Sequence, residues 1–339
     1  MEMVQEAGTR RSGLLWKRVL GSTLGLVALA WLASYQDMAQ MWRAVLHVDA
    51  VLLILSMPII FANMFLRSFR WRLLLGSRDA TKFSSVFSAL MIGYLANNIL
   101  PVRAGDLVRV YVLSNDEQSM SWSRILATVF LERVLDMAAV VLVFSLVAFV
   151  SPLPDWVRNG ALFLGAATAV CLVLLIVIGL AGERSARFLL LPFKTRALRI
   201  VQMVQDRARD FAVGLGCVRR PLVGVGFFLT TAAIWILEIV LIVLIAQAFE
   251  LVLNPLDAAV LMLFSLFSNL IPALPGQFGI FELAMITGLK FLGVDSPASL
   301  PFALALHFLL IVGTSLLGAM CLLYRGVPLM SVLEGNRRK

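Results

Sequence analysis

The stretch N-I-L-P-V-R-A-G at residues 98–105 and the stretch N-L-I-P-A-L-P-G at residues 269–276 decide the fold of this chain. Asn, Pro and Gly hold the same relative places in both copies, at i, i+3 and i+7. Each copy interrupts a long apolar segment with helix breakers and polar groups. Inside a membrane, irregular backbone persists only where protein or a watery cavity satisfies its N–H and C=O groups. We therefore predict that the two copies are the tips of paired re-entrant hairpins that face each other.

The composition is that of a polytopic membrane protein. Of the 339 residues, 60% are hydrophobic and 14% are charged, and the mean hydropathy is +0.92, which is far from a soluble fold. The net charge of +9 does not predict binding to nucleic acid, because the basic residues lie in particular loops that orient the protein in the bilayer. The N-terminal apolar run lacks a small-residue cleavage site and is expected to be a retained span.

The basic residues also predict the topology, because Lys and Arg mark the cytoplasmic side. Four lie in residues 1–18, five in 67–82, nine in 183–220 and four in 325–339. All of these segments are cytoplasmic only if residues near 83–113 and near 258–292 form hairpins rather than full spans. The sequence therefore predicts an all-α polytopic membrane protein with about six full spans and two opposed re-entrant helical hairpins.

This order of segments is an inverted repeat. Residues 1–182 are the predicted first half and residues 221–339 the second half, which ends in a basic tail. Residues 183–220 form a basic amphipathic connector, either a helix on the cytoplasmic surface or an ordinary connector helix. Many secondary transporters have inverted repeats, with broken helices around a site at the repeat interface. We expect a multi-pass protein of the cell inner membrane with both termini in the cytoplasm.

The first hairpin carries four candidate binding residues: Asn98, Arg103, Asp106 and Arg109. Ionisable groups at membrane depth are costly and usually face a cavity or a partner. The two arginines offer forked donors that suit a phosphate, and Asp106 can hold one of them in place. In the alternative interpretation, Arg103 and Asp106 pair locally and brace the turn.

The next predicted span contains Glu132, Arg133 and Asp136. The two carboxylates are four residues apart and therefore share a helix face. Three charges so close together in a membrane helix need partners, and Arg103 and Arg109 are the obvious ones. A structural salt-bridge network and a substrate or proton-coupling site are both consistent with this pattern.

The second hairpin tip adds Asn269, Gln277 and Glu282. Its prolines and glycines break the helix, and the helix N-terminus after the break directs partial positive charge at an anion. Glu282 is expected to pair with a basic group of the first hairpin, or to bind a coupling cation or proton. His307, on an apolar helix, is expected to be a hydrogen-bonded interior residue.

Other polar residues support weaker hypotheses. Glu238 lies in the middle of a predicted span and is a hypothetical proton relay. Arg67, Arg70, Trp71 and Arg72 resemble an anchor at the membrane interface.

No enzyme class is indicated by the sequence. Two histidines and three scattered cysteines give neither a metal site nor a disulfide framework. There is no Walker A lysine motif and no nucleophile elbow. We therefore expect no catalytic residue, no cofactor and no metal.

The chain resembles the lysylphosphatidylglycerol synthase transmembrane region family. The matching motifs are F-R-W at Phe69–Trp71, N-x-x-P-x-R-x-G-D at Asn98–Asp106, E-R-x-x-D at Glu132–Asp136 and P-x-x-P-G-Q-F-G-x-F-E at Pro272–Glu282. Two departures from the family pattern are Gln277, in place of a second glycine, and Asp106, in place of the more usual Glu.

This resemblance implies a flippase-like translocation of phospholipid or a related polar lipid between leaflets. We expect no soluble aminoacyl-transferring domain like that of the synthases, and therefore no synthesis of lysylphosphatidylglycerol. Three alternatives stay open: an accessory subunit that partners a lipid- or glycan-modifying membrane enzyme, a membrane-embedded headgroup transferase, and a transporter of a small polar solute.

Overall fold

The computed structural model describes residues 38–76, 81–100, 104–117, 120–150, 155–181, 206, 209–216, 220–268 and 275–326. These residues are helical with connecting turns and contain no strand. The helices are α1 (Met38–Leu46), α2 (Ala50–Leu75), α3 (Phe83–Ile99), α4 (Gly105–Asp116), α5 (Trp122–Val150), α6 (Asp155–Ala181), α7 (Pro221–Ala248), α8 (Pro255–Ser268), α9 (Ile280–Phe291) and α10 (Ser299–Arg325). A 3-10 turn, Pro275–Gln277, precedes α9.

Side chains at the helix starts explain several boundaries. The Asp49 carboxylate accepts a hydrogen bond from the amide of Val51 at 2.9 Å, at the start of α2. The Asn254 side chain accepts hydrogen bonds from the amides of Leu256 (2.8 Å) and Asp257 (3.0 Å), at the start of α8. These acceptors satisfy amide groups that have no partner in the first turn of a helix.

The helix lengths follow one pattern twice. In α2 to α5 they are 26, 17, 12 and 29 residues, and in α7 to α10 they are 28, 14, 12 and 27 residues. A long helix is followed in each series by two short helices and another long one. The first N-x-x-P-x-x-x-G copy runs from the end of α3 to the first residue of α4, and the second copy follows α8, of which residues 275 and 276 are described.

In the part of the chain that the structure describes, three helices, α2, α7 and α10, are long and apolar enough to cross a membrane. At about 1.5 Å per residue, the 12-residue helices α4 and α9 are about 18 Å long and cannot cross a hydrocarbon core of about 30 Å alone. The six full spans and the re-entrant course of the hairpins stay predictions.

The chain divides into two compact units. One contains Met1–Phe61, Tyr94–Gly105 and Glu238–Leu316, and the other contains Ala62–Gly93, Asp106–Leu237 and Leu317–Lys339. They are called the first and the second unit below.

In the first unit, α8 and α9 pack closely through a glycine. A Cβ atom on Gly288 of α9 would lie 2.7 Å from Leu261 Cδ2 and 3.1 Å from the Phe264 ring of α8. Such a distance is too short for a carbon–carbon contact, so a larger residue fits only if the side chains of Leu261 and Phe264 shift. The two short helices of the second predicted hairpin are therefore in direct contact.

In the second unit, the apolar core is built from α2, α5, α6, α7 and the end of the connector. Leu74, Leu131, Leu215 and Phe227 are buried in one cluster. The described end of the connector, residues 209–216, packs against the start of α5. Most of the predicted amphipathic connector lies outside the described residues.

One hydrogen bond of the second unit joins positions related by the repeat shift. The Asn63 side-chain amide of α2 donates to the carbonyl of Ile234 in α7 at 3.0 Å, and the two residues are 171 apart. Asn98 and Asn269 are separated by the same number of residues.

Candidate functional site

The structure brings the predicted charges of α4 and α5 together in the second unit. Five of the predicted site residues join one network with an arginine of α2, and the members are Arg70, Asp106, Arg109, Glu132, Arg133 and Asp136. Three arginines face three carboxylates, so the formal charge of the network is zero. This balance matters because an uncompensated charge at membrane depth is strongly unfavourable.

Glu132 occupies the centre of this charge network. One of its carboxylate oxygens lies 2.9 Å from Arg70 Nη2 and the other lies 2.9 Å from Arg109 Nη1. All three side chains are almost completely buried. The predicted pairing of α5 carboxylates with Arg109 is thereby confirmed for Glu132, whereas Asp136 pairs with Arg70.

The interpretation of residues 67–72 as an interfacial anchor is wrong for Arg70 and Trp71, because both side chains are buried. Arg70 donates from Nη1 to Asp136 Oδ1 (2.6 Å) and Thr231 Oγ1 (3.1 Å). The Trp71 indole N–H donates to Thr128 Oγ1 at 3.1 Å. The anchor prediction failed because a run of basic and aromatic residues at the end of an apolar segment is also typical of a membrane interface.

Charge counting on the sequence could not have identified Arg70, because the predicted cations Arg103, Arg109 and Arg133 already balance Asp106, Glu132 and Asp136. In the structure, Glu132 and Asp136 both pair with Arg70 of the preceding helix.

The network is exposed at one end. The Arg133 side chain is 47% exposed and the Asp106 side chain 34% exposed. Arg133 forms a forked pair with Asp106, with Nε–Oδ2 at 3.0 Å and Nη2–Oδ1 at 2.7 Å. The prediction that Asp106 holds an arginine is confirmed, and the described partners are Arg109 and Arg133.

Arg109 lies behind this exposed pair and keeps unused donors. Its guanidinium stacks over the Trp71 ring at 4.8 Å, and its Nη2 lies 3.2 Å from Asp106 Oδ1. That distance suits an ion pair, but neither Nε nor Nη2 has a hydrogen-bond partner of acceptable geometry among the described residues. A buried donor without an acceptor is costly, so this end of the network favours an additional acceptor.

A second polar cluster lies in the first unit, on α9 and α10. The Glu282 carboxylate is fully buried; it accepts a hydrogen bond from the Gly279 amide at 2.6 Å and lies 2.7 Å from His307 Nδ1. The His307 ring stacks on Phe281 with the ring centres 4.4 Å apart. The prediction for His307 is confirmed. We predicted a basic group of the first hairpin as the partner of Glu282. Among the described contacts, the basic partner of Glu282 is His307.

The two repeated tips both contact α10 within the first unit. The Asn98 side-chain amide donates to Thr314 Oγ1 (3.0 Å) and Ser315 Oγ (2.9 Å). At the second tip, a Cβ atom on Gly276 would meet Ile311 Cδ1 at 3.4 Å. Both tips therefore reach the same two turns of α10.

Gln277 has a left-handed backbone with a φ of 57°, a conformation that glycine adopts most readily. This explains why a glycine is the expected residue there. Arg103 and Asn269 lie outside the described residues, and Glu238 is half-buried in α7.

Comparison with known proteins identifies related membrane proteins. The sequence model of the Lysylphosphatidylglycerol synthase TM region family matches residues 18–318. A UPF0104 membrane protein of Pyrococcus horikoshii is 27% identical over 162 residues, which cover 47% of either chain. A UPF0104 membrane protein of Methanothermobacter thermautotrophicus is 25% identical over 81% of this chain and 86% of its own length.

A protein named Glycosyltransferase AglD, of Haloferax volcanii, is 26% identical over 313 residues, which cover 83% of this chain and 50% of that protein. This chain thus matches about half the length of the Haloferax and Pyrococcus relatives. No solved structure matches it.

Proposed function

Because this chain belongs to the lysylphosphatidylglycerol synthase transmembrane region family, as the match over residues 18–318 shows, we propose that it is a lipid translocase. In this proposal the integral membrane protein moves a phospholipid or a related polar lipid between the leaflets of the inner membrane. It does so as a transporter and not as an enzyme. The observation that carries the proposal is the exposed end of the charge network, where arginine donors lie beside an exchangeable carboxylate.

The headgroup phosphate takes the place of Asp106 in the proposed binding step. Arg133 presents a forked guanidinium at the surface, and Arg109 behind it has donors that find no acceptor among the described residues. A phosphate oxygen that displaces the Asp106 carboxylate keeps one anion against each guanidinium, so the buried charge hardly changes. Arginine forks bind phosphate in two-point contacts. The acyl chains stay in the bilayer while the headgroup crosses, which avoids burying the headgroup in hydrocarbon.

The proposed route is an inverted repeat with two re-entrant hairpins. The repeated pattern of long and short helices and the Asn63–Ile234 contact at the repeat shift support it. A contact between equivalent residues is expected at a two-fold axis between two repeats. Transporters of this kind place polar broken helices at the centre of the membrane, and the basic N- and C-terminal segments support cytoplasmic termini.

The test is lipid exchange in liposomes that contain the purified protein and fluorescent phospholipids with several headgroups. Arg133→Gln and Arg103→Ala should each slow the exchange about tenfold or more, because a charge-assisted hydrogen bond is worth about 1.5–3 kcal/mol. Arg43→Gln removes an exposed charge on α1 and should leave exchange unchanged. Folded wild-type protein that moves no lipid, or an Arg133→Gln variant as fast as wild type, would contradict the proposal.

A second candidate function is that of an accessory membrane subunit. The match to half of a Haloferax protein named as a glycosyltransferase favours it. In this role the chain partners an enzyme that modifies a lipid or a glycan, and the basic segment 183–220 recruits that enzyme. This alternative predicts no lipid exchange by the purified protein, whereas deletion of residues 196–215 should reproduce the loss of the whole gene.

A further inference from the structure

Helix α1 of the first unit is held to its neighbours by one of its faces. With nine residues it is about 14 Å long, too short to cross a hydrocarbon core of about 30 Å. Met41 packs against Ile286 of α9 and Leu300 of α10. Ala44, three residues after Met41 and on the same side of the helix, is also half-buried. This face attaches α1 to the two last helices of the unit.

The next face of α1 is an exposed apolar stripe. Its side chains recur at intervals of three and four residues, which is the spacing of one helix face. The Trp42 side chain in this stripe is 61% exposed. Gln40 and Arg43, which are also exposed, lie on a third face, which is polar. The members of the stripe are Met38, Trp42, Val45 and Leu46.

The ends of three apolar helices fix the level at which α1 lies. The Asp49 amide, one residue before α2, donates to the carbonyl of Ala248, the last residue of α7, at 3.0 Å. Leu300, which contacts Met41, is the second residue of α10. Helices α2, α7 and α10 are each long and apolar enough to cross a membrane, so their ends mark a boundary between hydrocarbon and water. Helix α1 lies at this boundary.

The stripe fits hydrocarbon better than water. A short helix with one apolar and one polar face, at the end of a span, is suited to the membrane interface. Tryptophan is enriched at this depth, and Trp42 lies within the stripe. The chain then continues into α2, where Val51, Ile54 and Leu55 are also exposed. A continuous series of exposed apolar side chains therefore leads from α1 into a helix that can cross the membrane.

The charges at this end of the first unit do not favour an anionic surface. Two basic and four acidic side chains give a formal charge of −2. The attraction of α1 to a bilayer therefore depends on its apolar stripe and not on anionic headgroups. The six side chains, on α1 and at the ends of the neighbouring helices, are Arg43, Lys290, Asp49, Glu250, Asp257 and Asp295.

We propose that α1 is an interfacial helix whose partner is the bilayer. It lies in the plane of one leaflet, with its apolar stripe against the acyl chains and with Gln40 and Arg43 toward the headgroups and water. Its contact with Ile286 and Leu300 then fixes the ends of α9 and α10 at the level of the headgroups. This inference does not depend on lipid transport.

The depth of single positions of α1 tests the inference. The full-length protein, with its three cysteines replaced by serine, receives one spin label at a time and is placed in nanodiscs of zwitterionic phospholipid. Collisions of the label with oxygen, which concentrates in hydrocarbon, are compared with collisions with a water-soluble nickel chelate. Labels on the stripe are introduced by Trp42→Cys and Val45→Cys, and labels on the polar face by Gln40→Cys and Arg43→Cys.

We expect the ratio of oxygen to nickel accessibility to be about twofold or more higher on the stripe than on the polar face. Phe308→Cys, at an exposed position well inside α10, supplies the value for deep hydrocarbon. Asp295→Cys, at an exposed position between α9 and α10, supplies the value for water. The stripe should lie between these two values.

Three results would overturn the inference. A stripe with the same ratio as Asp295→Cys would place α1 in water. A stripe closed to both reagents would show that protein covers it, and the N-terminal apolar run of the chain is the candidate. In nanodiscs of anionic phospholipid we expect unchanged ratios, and a stripe that enters the bilayer only there would refute the apolar basis of the contact.

Discussion

The contrast between Arg70 and Arg133 gives the sharpest test of the charge network. Arg70→Gln and Arg133→Gln remove the same charge from the same network, and they differ in burial, since the side chains are 1% and 47% exposed. Without Arg70, Glu132 keeps Arg109, and the partner left to Asp136 among the described residues is Arg133 at 4.0 Å. Removing one partner of a buried pair costs about 3–5 kcal/mol, and removing an exposed partner costs about 0–1 kcal/mol.

The free energy of unfolding of both variants is measured in the same mild detergent by denaturant titration of tryptophan fluorescence. We expect Arg70→Gln to lose several times more stability than Arg133→Gln, and Arg133→Gln to be the variant that loses lipid exchange in the folded state. Equal destabilisation of the two variants would refute the view that burial, rather than net charge, makes this network essential to the fold. A fully stable Arg70→Gln would refute the central position of Arg70.

Three further predictions concern packing and hydrogen bonds. Gly288→Ala should lower the unfolding free energy by about 1–3 kcal/mol through overpacking of α8 against α9, whereas Gly160→Ala, which has open space, should not lower it. Asn98→Ala should lower the free energy of unfolding by about 1–3 kcal/mol, because it leaves the α10 hydroxyl groups without this donor. The control is Asn115→Ala, which changes an exposed asparagine. Equal losses of stability in the two variants would contradict the contact between the tip and α10. Trp71→Phe should lower the free energy of unfolding by about 1 kcal/mol, because it removes the hydrogen bond to Thr128 and keeps an aromatic ring beneath the Arg109 guanidinium. Unchanged thermal stability would argue against that hydrogen bond.

The sequence predicted the helix breaks and most of the network for one physical reason. In an apolar chain, prolines, glycines and charges are rare, and each needs a structural solution, so their positions are informative. Glu132 and Asp136 required cations, and Arg109 was available at the right depth. The partners of Glu282 were harder to predict, because a histidine on an apolar helix is compatible with many contacts. Arg70 was missed because its local surroundings resemble those of a surface loop.

The contact of α8 with α9 through Gly288 has a consequence for biogenesis. Helix α8 has 14 residues and is about 21 Å long, so on its own it would end with open backbone groups inside the hydrocarbon. In the proposed hairpin, α9 packs against α8 at Gly288, so each short helix has the other as a neighbour. During synthesis the two short helices would therefore have to enter the bilayer as a single unit, after the ribosome has completed both.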